Sequence, residues 1–294
     1  MSSTTNRDLV GYRVMAVHAH PDDEAITMGG SLADLAARGA DVLVVTCTLG
    51  EEGEVIGEPY QQLTVDHADQ LGGFRIRELA DSLAAIGARG VFLGGAGCYR
   101  DSGMAGSAAH EHPRAFVRGG QGSVDKLAEL MAAQRPHLVL TYGPDGGYGH
   151  PDHIRAHEIT HAAAERADVP RILWSVRLAD ETAALMPQEA PEGWRLPEDG
   201  ELDGVAHSDI AIRLSEHAYS AKVAAMRAHA TQLWIADGRT SATNPHAVIA
   251  SGPVVYYALS NLIVQPIQPY EHFQLGAGVP LDDPAAGLLG GIAR

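Results

Sequence analysis

Val14-Met15-Ala16-Val17-His18-Ala19-His20-Pro21-Asp22-Asp23-Glu24 passes from a short strand-like run directly into a turn that opens a helix. In an open α/β sheet that junction lies at the carboxyl end of a strand, where such sheets build their sites. A dinucleotide-binding turn would carry glycines here, so that the backbone can approach a pyrophosphate; this one offers an imidazole and three carboxylates. Crowding acids together costs electrostatic energy unless a cation neutralises them, which points to a metal. A second junction of the same kind, Tyr142-Gly143-Pro144-Asp145-Gly146-Gly147-Tyr148-Gly149-His150-Pro151-Asp152-His153, again follows a strand-like run and opens a helix. The two turns echo one another as His-Pro-Asp-Asp and His-Pro-Asp-His. One such turn alone is also a serviceable helix start, with proline in the first turn and aspartate answering the dipole. If both strands are parallel, both turns fall on one sheet edge, where two histidines and a carboxylate can converge on a single ion with coordination positions left open.

Outward from these turns, short β-rich runs alternate with helical patterns over the first 180 residues, the pattern of βαβ units around a parallel sheet. Val14 to Val17, Val42 to Thr46, Val91 to Leu93, Leu138 to Thr141 and Ile172 to Val176 are the expected strands. Ile76, Leu79, Ala80, Leu83 and Ile86 recur at helical spacing up to Gly87; Val124, Leu127, Ala128 and Met131 form a second stripe stopped by Pro136. Ala179 to Gly204, rich in Pro, Glu and Gly, reads as an irregular excursion. After it, Ile210, Ile212 and Leu214 alternate as a strand. Tyr219, Val223, Met226, Ala230 and Leu233 mark another amphipathic helix, Val254 to Val264 one more apolar element, and Leu281 to Arg294 a frayed tail. The expected fold class is α/β: one domain over residues 1–294 with a Rossmann-like, mostly parallel sheet flanked by helices. Its core covers about 13–180, and 205–265 complete the domain and pocket.

A formal charge of -16 with no basic cluster argues against nucleic acid and anionic membrane as partners and favours a neutral or cationic small molecule. The longest apolar runs are far too short to span a bilayer, and the polar start, Met1 to Tyr12, lacks the form of a secretory signal, so a cytoplasmic location is expected. Cys47 and Cys98 sit in no metal or redox pair and read as structural thiols.

The paired turns resemble the signature of the LmbE-like (PIG-L) family of metal-dependent deacetylases. The likeness runs from Val17 to about Val176 and includes Thr46 to Glu54, Gly94-Gly95-Ala96-Gly97 and Arg100-Asp101-Ser102-Gly103-Met104; it resumes from Ala221 to Gln232. The resemblance implies hydrolysis of the N-acetyl group of an amino sugar, most similar to the branch acting on N-acetylglucosaminyl-inositol in mycothiol biosynthesis, with the mycothiol S-conjugate amidases as the near alternative. It further implies one divalent metal per chain, zinc by default and ferrous iron as an option, on His20, Asp23 and His153. Asp22 would be the general base and His150 the general acid, oriented by Asp152; spacing alone would let Asp22 and Asp23 exchange places. Tyr148 is the candidate oxyanion donor, and Glu54, Arg75, Asp101 and Met104 are expected around the inositol portion. His18 is expected to pack or to support the site.

His157-Glu158-Ile159-Thr160-His161 is also a His-Glu-x-x-His match, the helical zinc motif of metalloproteases. His161 lies two turns beyond His153, roughly 12 Å at about 1.5 Å per residue, so one ion does not bridge them. No later histidine offers a third ligand at recognised spacing. Two histidines and a carboxylate also hold iron in oxygenases, but a ready base and acid favour hydrolysis. A sugar-binding protein without activity would be expected to lack the base.

Overall fold

Near-continuous apolar runs form the centre of the sheet, as strands covered on both faces require. The computed structural model describes residues 6–202 and 204–294. Five parallel strands, β1 (Arg13–His18), β2 (Asp41–Thr46), β3 (Arg89–Phe92), β4 (Leu138–Tyr142) and β5 (Arg171–Val176), are joined by helices α1 (Asp23–Ala37), α2 (Leu71–Ile86), α3 (Gly120–Gln134) and α4 (Pro151–Arg166). Further along come α5 (Ala179–Ala184), β6 (Ile210–Arg213), α6 (Glu216–Ala228), β7 (Trp234–Ile235), β8 (Tyr256–Ala258), β9 (Gln265–Pro266) and β10 (Tyr270–Gly278). The seven-stranded sheet has the order β3-β2-β1-β4-β5-β10-β6, with β10 antiparallel to both of its neighbours. The mostly parallel, Rossmann-like sheet expected from the sequence is therefore present. Its order reverses between β1 and β4, the switch point at which an open sheet leaves a crevice, and the two His-Pro-Asp turns follow those two strands.

Alternate side chains sort into two cores. Val14, Ala16, Val42, Val44, Leu138 and Leu140 pack with α1, α2 and α6. Met15, Val17, Leu43, Val45 and Val139 pack with α3 and α4 on the opposite face. Two of the expected helix ends hold: Gly87 closes α2 in the left-handed conformation that glycine adopts without strain, and α3 stops at Arg135, just before Pro136.

Four expectations need correction. The helical stripe expected from Tyr219 to Leu233 ends early: α6 stops at Ala228, and Ala230 and Leu233 lie in the link from it to β7. Val254 to Val264 is not a single element: β8 occupies its start and pairs with β7 and β9 in a separate small sheet over Trp194 and Val264. The excursion after Ala179 begins with the short helix α5. The segment from Leu281 on is packed rather than frayed, because Leu288, Leu289 and Ile292 are buried and the fully buried Arg171 donates to the carbonyls of Val279, Pro280, Leu288 and Gly290. β10 went unread because its run Tyr-Glu-His-Phe-Gln-Leu-Gly-Ala-Gly carries charges and glycines and acquires strand character only between β5 and β6. Among the described residues, no helix is long and apolar enough to cross a membrane.

Arg171→Leu strands several buried carbonyls, each costing about 1–3 kcal/mol. Urea unfolding should show a loss of about 3 kcal/mol or more, and a loss below about 1 kcal/mol would contradict the clasp described for the C-terminal segment.

Candidate metal centre

Each of the two turns is shaped by its own backbone demands. After β1, the Asp23 carboxylate folds back to accept the His20 N–H at 2.9 Å, so the first residue of α1 closes the turn that precedes it. After β4, His150 is the N-cap of α4: its Nδ1 accepts the Asp152 N–H at 3.1 Å, with Pro151 in the first helical position. One turn into α4, His153 Nδ1 donates to the Gly146 carbonyl at 3.0 Å, which leaves Nε2 as the lone-pair nitrogen. Gly146 has φ +69°, and a Cβ there would stand 2.7 Å from the His153 Cβ, so this close approach calls for glycine.

The three side chains implied as ligands meet. His20 Nδ1 lies 3.2 Å from His153 Nε2 and 3.5 Å from Asp23 Oδ2, and His153 Nε2 lies 3.3 Å from Asp23 Oδ1. Donors about 2.0–2.1 Å from a tetrahedral zinc stand about 3.3 Å apart; the two histidine nitrogens keep that spacing, and each lies near it from one of the two different Asp23 oxygens. His150 with His20 and His153, and Asp101 and Asp152 with His20, also bring ligand atoms within 4.8 Å of one another. The first of these shares His20 and His153 with the triangle and adds His150, whose Nδ1 is engaged by the Asp152 N–H while Nε2 stays free among the described residues. The second lies on the far side of His20, whose Nε2 faces Asp101 Oδ1 and Asp152 Oδ2 at 3.4 Å each. The Asp101 and Asp152 carboxylates on that side stand where partners of a metal-bound histidine would be placed.

Electrostatics follow from this crowding. Burial works against a proton on His20, but the Asp101, Asp152 and Asp23 carboxylates outweigh it and raise the ring well above its ordinary range. Burial drives His150 down to about 3, with His20 and His153 adding to the effect. Asp22 is raised to about 7 by burial, against the pull of Arg75 and with the help of Asp23.

The remaining expected residues are placed unevenly. Asp22 Oδ2 pairs with Arg75 at 3.2 Å. Arg75 is only 3% exposed and spends its guanidinium on Asp22 and on the carbonyls of Gly50 and Pro21, so it lies behind Asp22 rather than open to solvent. Asp152 holds His150 through its backbone N–H and not through its carboxylate: capping geometry directs the carboxylate away, to the Ser102 N–H at 2.9 Å and to His20. Asp101 is pinned by Gly103 N–H and Glu52 N–H. Tyr148 and Met104 stand 55% and 52% exposed, and Glu54 is exposed as well. The Tyr148 ring lies edge-on, 5.0 Å from that of His153. His18 is wholly buried, edge-on to Tyr142 and pushed down by burial, as a packing histidine would be.

Tyr142 was missed by sequence reasoning. Its hydroxyl donates to Asp23 Oδ2 at 2.5 Å and accepts from Ala19 N–H at 2.9 Å, while its ring stacks on His153 at 4.2 Å. One side chain thus braces two of the three ligands, and the only signal for it was its place at the last residue of the strand before the second turn. The His-Glu-x-x-His histidines do other work. His157 Nδ1 donates to the Tyr142 carbonyl at 3.0 Å, and His161 Nε2 accepts the Trp174 indole N–H at 2.9 Å.

Fold and site together define an α/β protein with a cluster of buried histidines and carboxylates, able to hold a divalent cation, at the switch point of its sheet. Residues 15–164 match the family model described as PIG-L: GlcNAc-PI de-N-acetylase. The chain is 60% identical over 292 residues to the 1D-myo-inositol 2-acetamido-2-deoxy-alpha-D-glucopyranoside deacetylase of Corynebacterium diphtheriae, covering 96% of this chain and 99% of that one. Two solved structures share the fold. One is the N,N'-diacetylchitobiose deacetylase from Pyrococcus horikoshii, 18% identical, with a TM-score of 0.50 over 74% of this chain and 70% of that one. The other is a 4-carboxy-2-hydroxymuconate hydratase from Pseudomonas putida, 16% identical, with a TM-score of 0.51 over 92% of this chain and 99% of that one. The chain belongs to the PIG-L family.

Tyr142→Phe should weaken divalent-metal binding about 10- to 100-fold in a chelator competition; unchanged affinity would remove Tyr142 from the site. Because carboxylates hold a proton on His20 in the metal-free protein, a cation must displace it. Metal affinity should therefore rise with pH, by about tenfold per unit while His20 remains protonated, and a flat profile across pH 5 to 8, spanning about three units, would contradict that proton.

Proposed function

We propose that the chain hydrolyses the N-acetyl group of 1D-myo-inositol 2-acetamido-2-deoxy-α-D-glucopyranoside to the free amine and acetate, a step of mycothiol biosynthesis. The observation that carries this reading is the His20–Asp23–His153 triangle with the Asp22 carboxylate beside it, in a chain so similar along its length to a curated deacetylase of that name. Fold alone would not carry it, since a hydratase shares the architecture.

Bound by these three residues, a divalent cation, zinc or ferrous iron, would supply Lewis acidity, making a water more acidic and polarising the acetyl carbonyl. Asp22, with its carboxyl held near neutrality, takes the proton of the attacking water and is kept in place by Arg75. Tyr148, at the open side of the site, donates to the oxyanion of the tetrahedral intermediate. His150 is neutral at rest because burial keeps it so; as negative charge develops it takes up the proton that Asp22 removed from the water, and passes it to the amine as the C–N bond breaks, which leaves Asp22 again a carboxylate and His150 again neutral. Asp152 serves this step by fixing His150 through its backbone and His20 through its carboxylate. Asp101, Met104 and Glu54 form the side on which the inositol hydroxyls are met, and Arg75 serves that side only indirectly, by holding Asp22.

The test is amine release from the N-acetylglucosaminyl-inositol by protein stripped with chelator and reloaded with zinc or ferrous iron, with a mycothiol S-conjugate as the competing substrate. Asp22→Asn should lower kcat about 10²- to 10⁴-fold while the metal still binds. Release from the conjugate but not from the acetylated sugar would move the assignment to the amidase, and release from neither with metal bound would overturn the reaction.

A further inference from the structure

Asp22 sits in a backbone conformation that an aspartate does not hold unaided, with φ 110° and ψ −30°. Positive φ of this size strains any residue with a Cβ and persists only where the surroundings over-determine it. The fixing group is Glu24, two residues further on. Its Oε2 accepts the Asp22 N–H at 3.0 Å, while its Oε1 receives Ser82 Oγ at 2.5 Å and His229 Nε2 at 2.7 Å.

Glu24, Ser82 and His229 are all completely shut off from solvent. A carboxylate so placed is tolerable only when its oxygens are hydrogen-bonded and its charge is answered. Its partners come from α2 and from the end of α6, so three helices and both halves of the chain meet on one side chain. The end of α6 is itself pinned. Thr231 donates from its N and Oγ1 to the buried Glu78 of α2 at 2.8 and 2.7 Å, and Ile56 N–H donates to the Thr231 carbonyl at 2.8 Å. His229 therefore approaches Glu24 from a fixed position.

We propose that His229, together with Ser82, is a positioning residue for the base: it fixes the Glu24 carboxylate, which grips the Asp22 N–H and keeps Asp22 in its strained conformation beside the metal ligands. The proposal rests on the reading of Asp22 as base. An ordinary core pair would change stability alone, whereas a positioning role changes kcat at saturating metal and substrate and leaves KM and metal affinity in place.

The experiment compares His229→Leu, His229→Gln, Ser82→Ala and Asp22→Asn in the full chain. It measures kcat and KM for deacetylation at saturating zinc, the zinc dissociation constant by chelator competition, and the thermal midpoint. His229→Leu is expected to lower kcat roughly 10- to 100-fold, with KM and zinc affinity unchanged within about threefold. His229→Gln places an amide N–H where the imidazole Nε2 was and recovers most of the loss, and Ser82→Ala lowers kcat about 3- to 10-fold. A kcat for His229→Leu within about twofold of the parent, with Asp22→Asn inactive, overturns the positioning role and leaves the base in place. A loss that vanishes as zinc is raised overturns it in favour of metal retention, and an active Asp22→Asn overturns the reading of the base itself. Should His229→Leu fail to fold, Ser82→Ala and His229→Gln decide by the same comparison of kcat with KM.

Discussion

The arrangement depends on one electrostatic constraint: Asp23, Asp101 and Asp152 are buried at close quarters with His20, His150 and His153. In a low-dielectric setting, that many acids in contact demand positive charge. The carboxylates answer it in part by raising His20 well above its ordinary range, which favours a proton there; a divalent cation held by the same group would answer it more fully. The site lies where the sheet reverses its order, because only there do two parallel strands deliver their following turns to opposite walls of one crevice.

Holding these groups at contact distance needs rigidity that the first turn does not possess alone. α1 is broken at Met28, whose φ of −147° is not helical. Just past the break, the Gly30 and Ser31 N–H groups are taken up by the two oxygens of Glu271 on β10, at 3.0 and 2.6 Å. That carboxylate is fully buried and is balanced by Lys222 of α6 at 2.6 Å. Glycine at position 30 leaves room for Leu214, which a Cβ would strike. Strand β10, the element least visible in the sequence, is thus what restarts the helix that carries Asp23.

How much could be read beforehand follows from which interactions are local. The parallel strands were legible because burial on both faces makes them apolar throughout, and the two turns because proline, histidine and aspartate at a strand-to-helix junction have few other uses. Roles carried by the far end of a side chain were not legible. Arg75 was expected to face a sugar and instead straps Asp22; Asp152 was expected to orient His150 by its carboxylate and does so by its backbone. Tyr142 and His229 gave no motif, since the hydrogen bonds that tie them to Asp23 and to Glu24 reach across more than a hundred residues of sequence. The C-terminal segment misled for the same reason: its anchor, Arg171, lies on β5.

The stretch matched by the family model, residues 15–164, contains every proposed metal ligand, the proposed base and the proposed acid, yet likeness to the Corynebacterium deacetylase extends over almost the whole chain. The structure gives a physical reason for that difference in extent. Ligands can be specified by two short turns, but the backbone strain at Asp22 and the break in α1 need buried partners, and those partners, His229, Lys222 and Glu271, all lie beyond residue 164. The first half of the chain supplies the atoms of the chemistry, and the second half supplies the hydrogen bonds that hold them in a conformation the first half would not keep by itself.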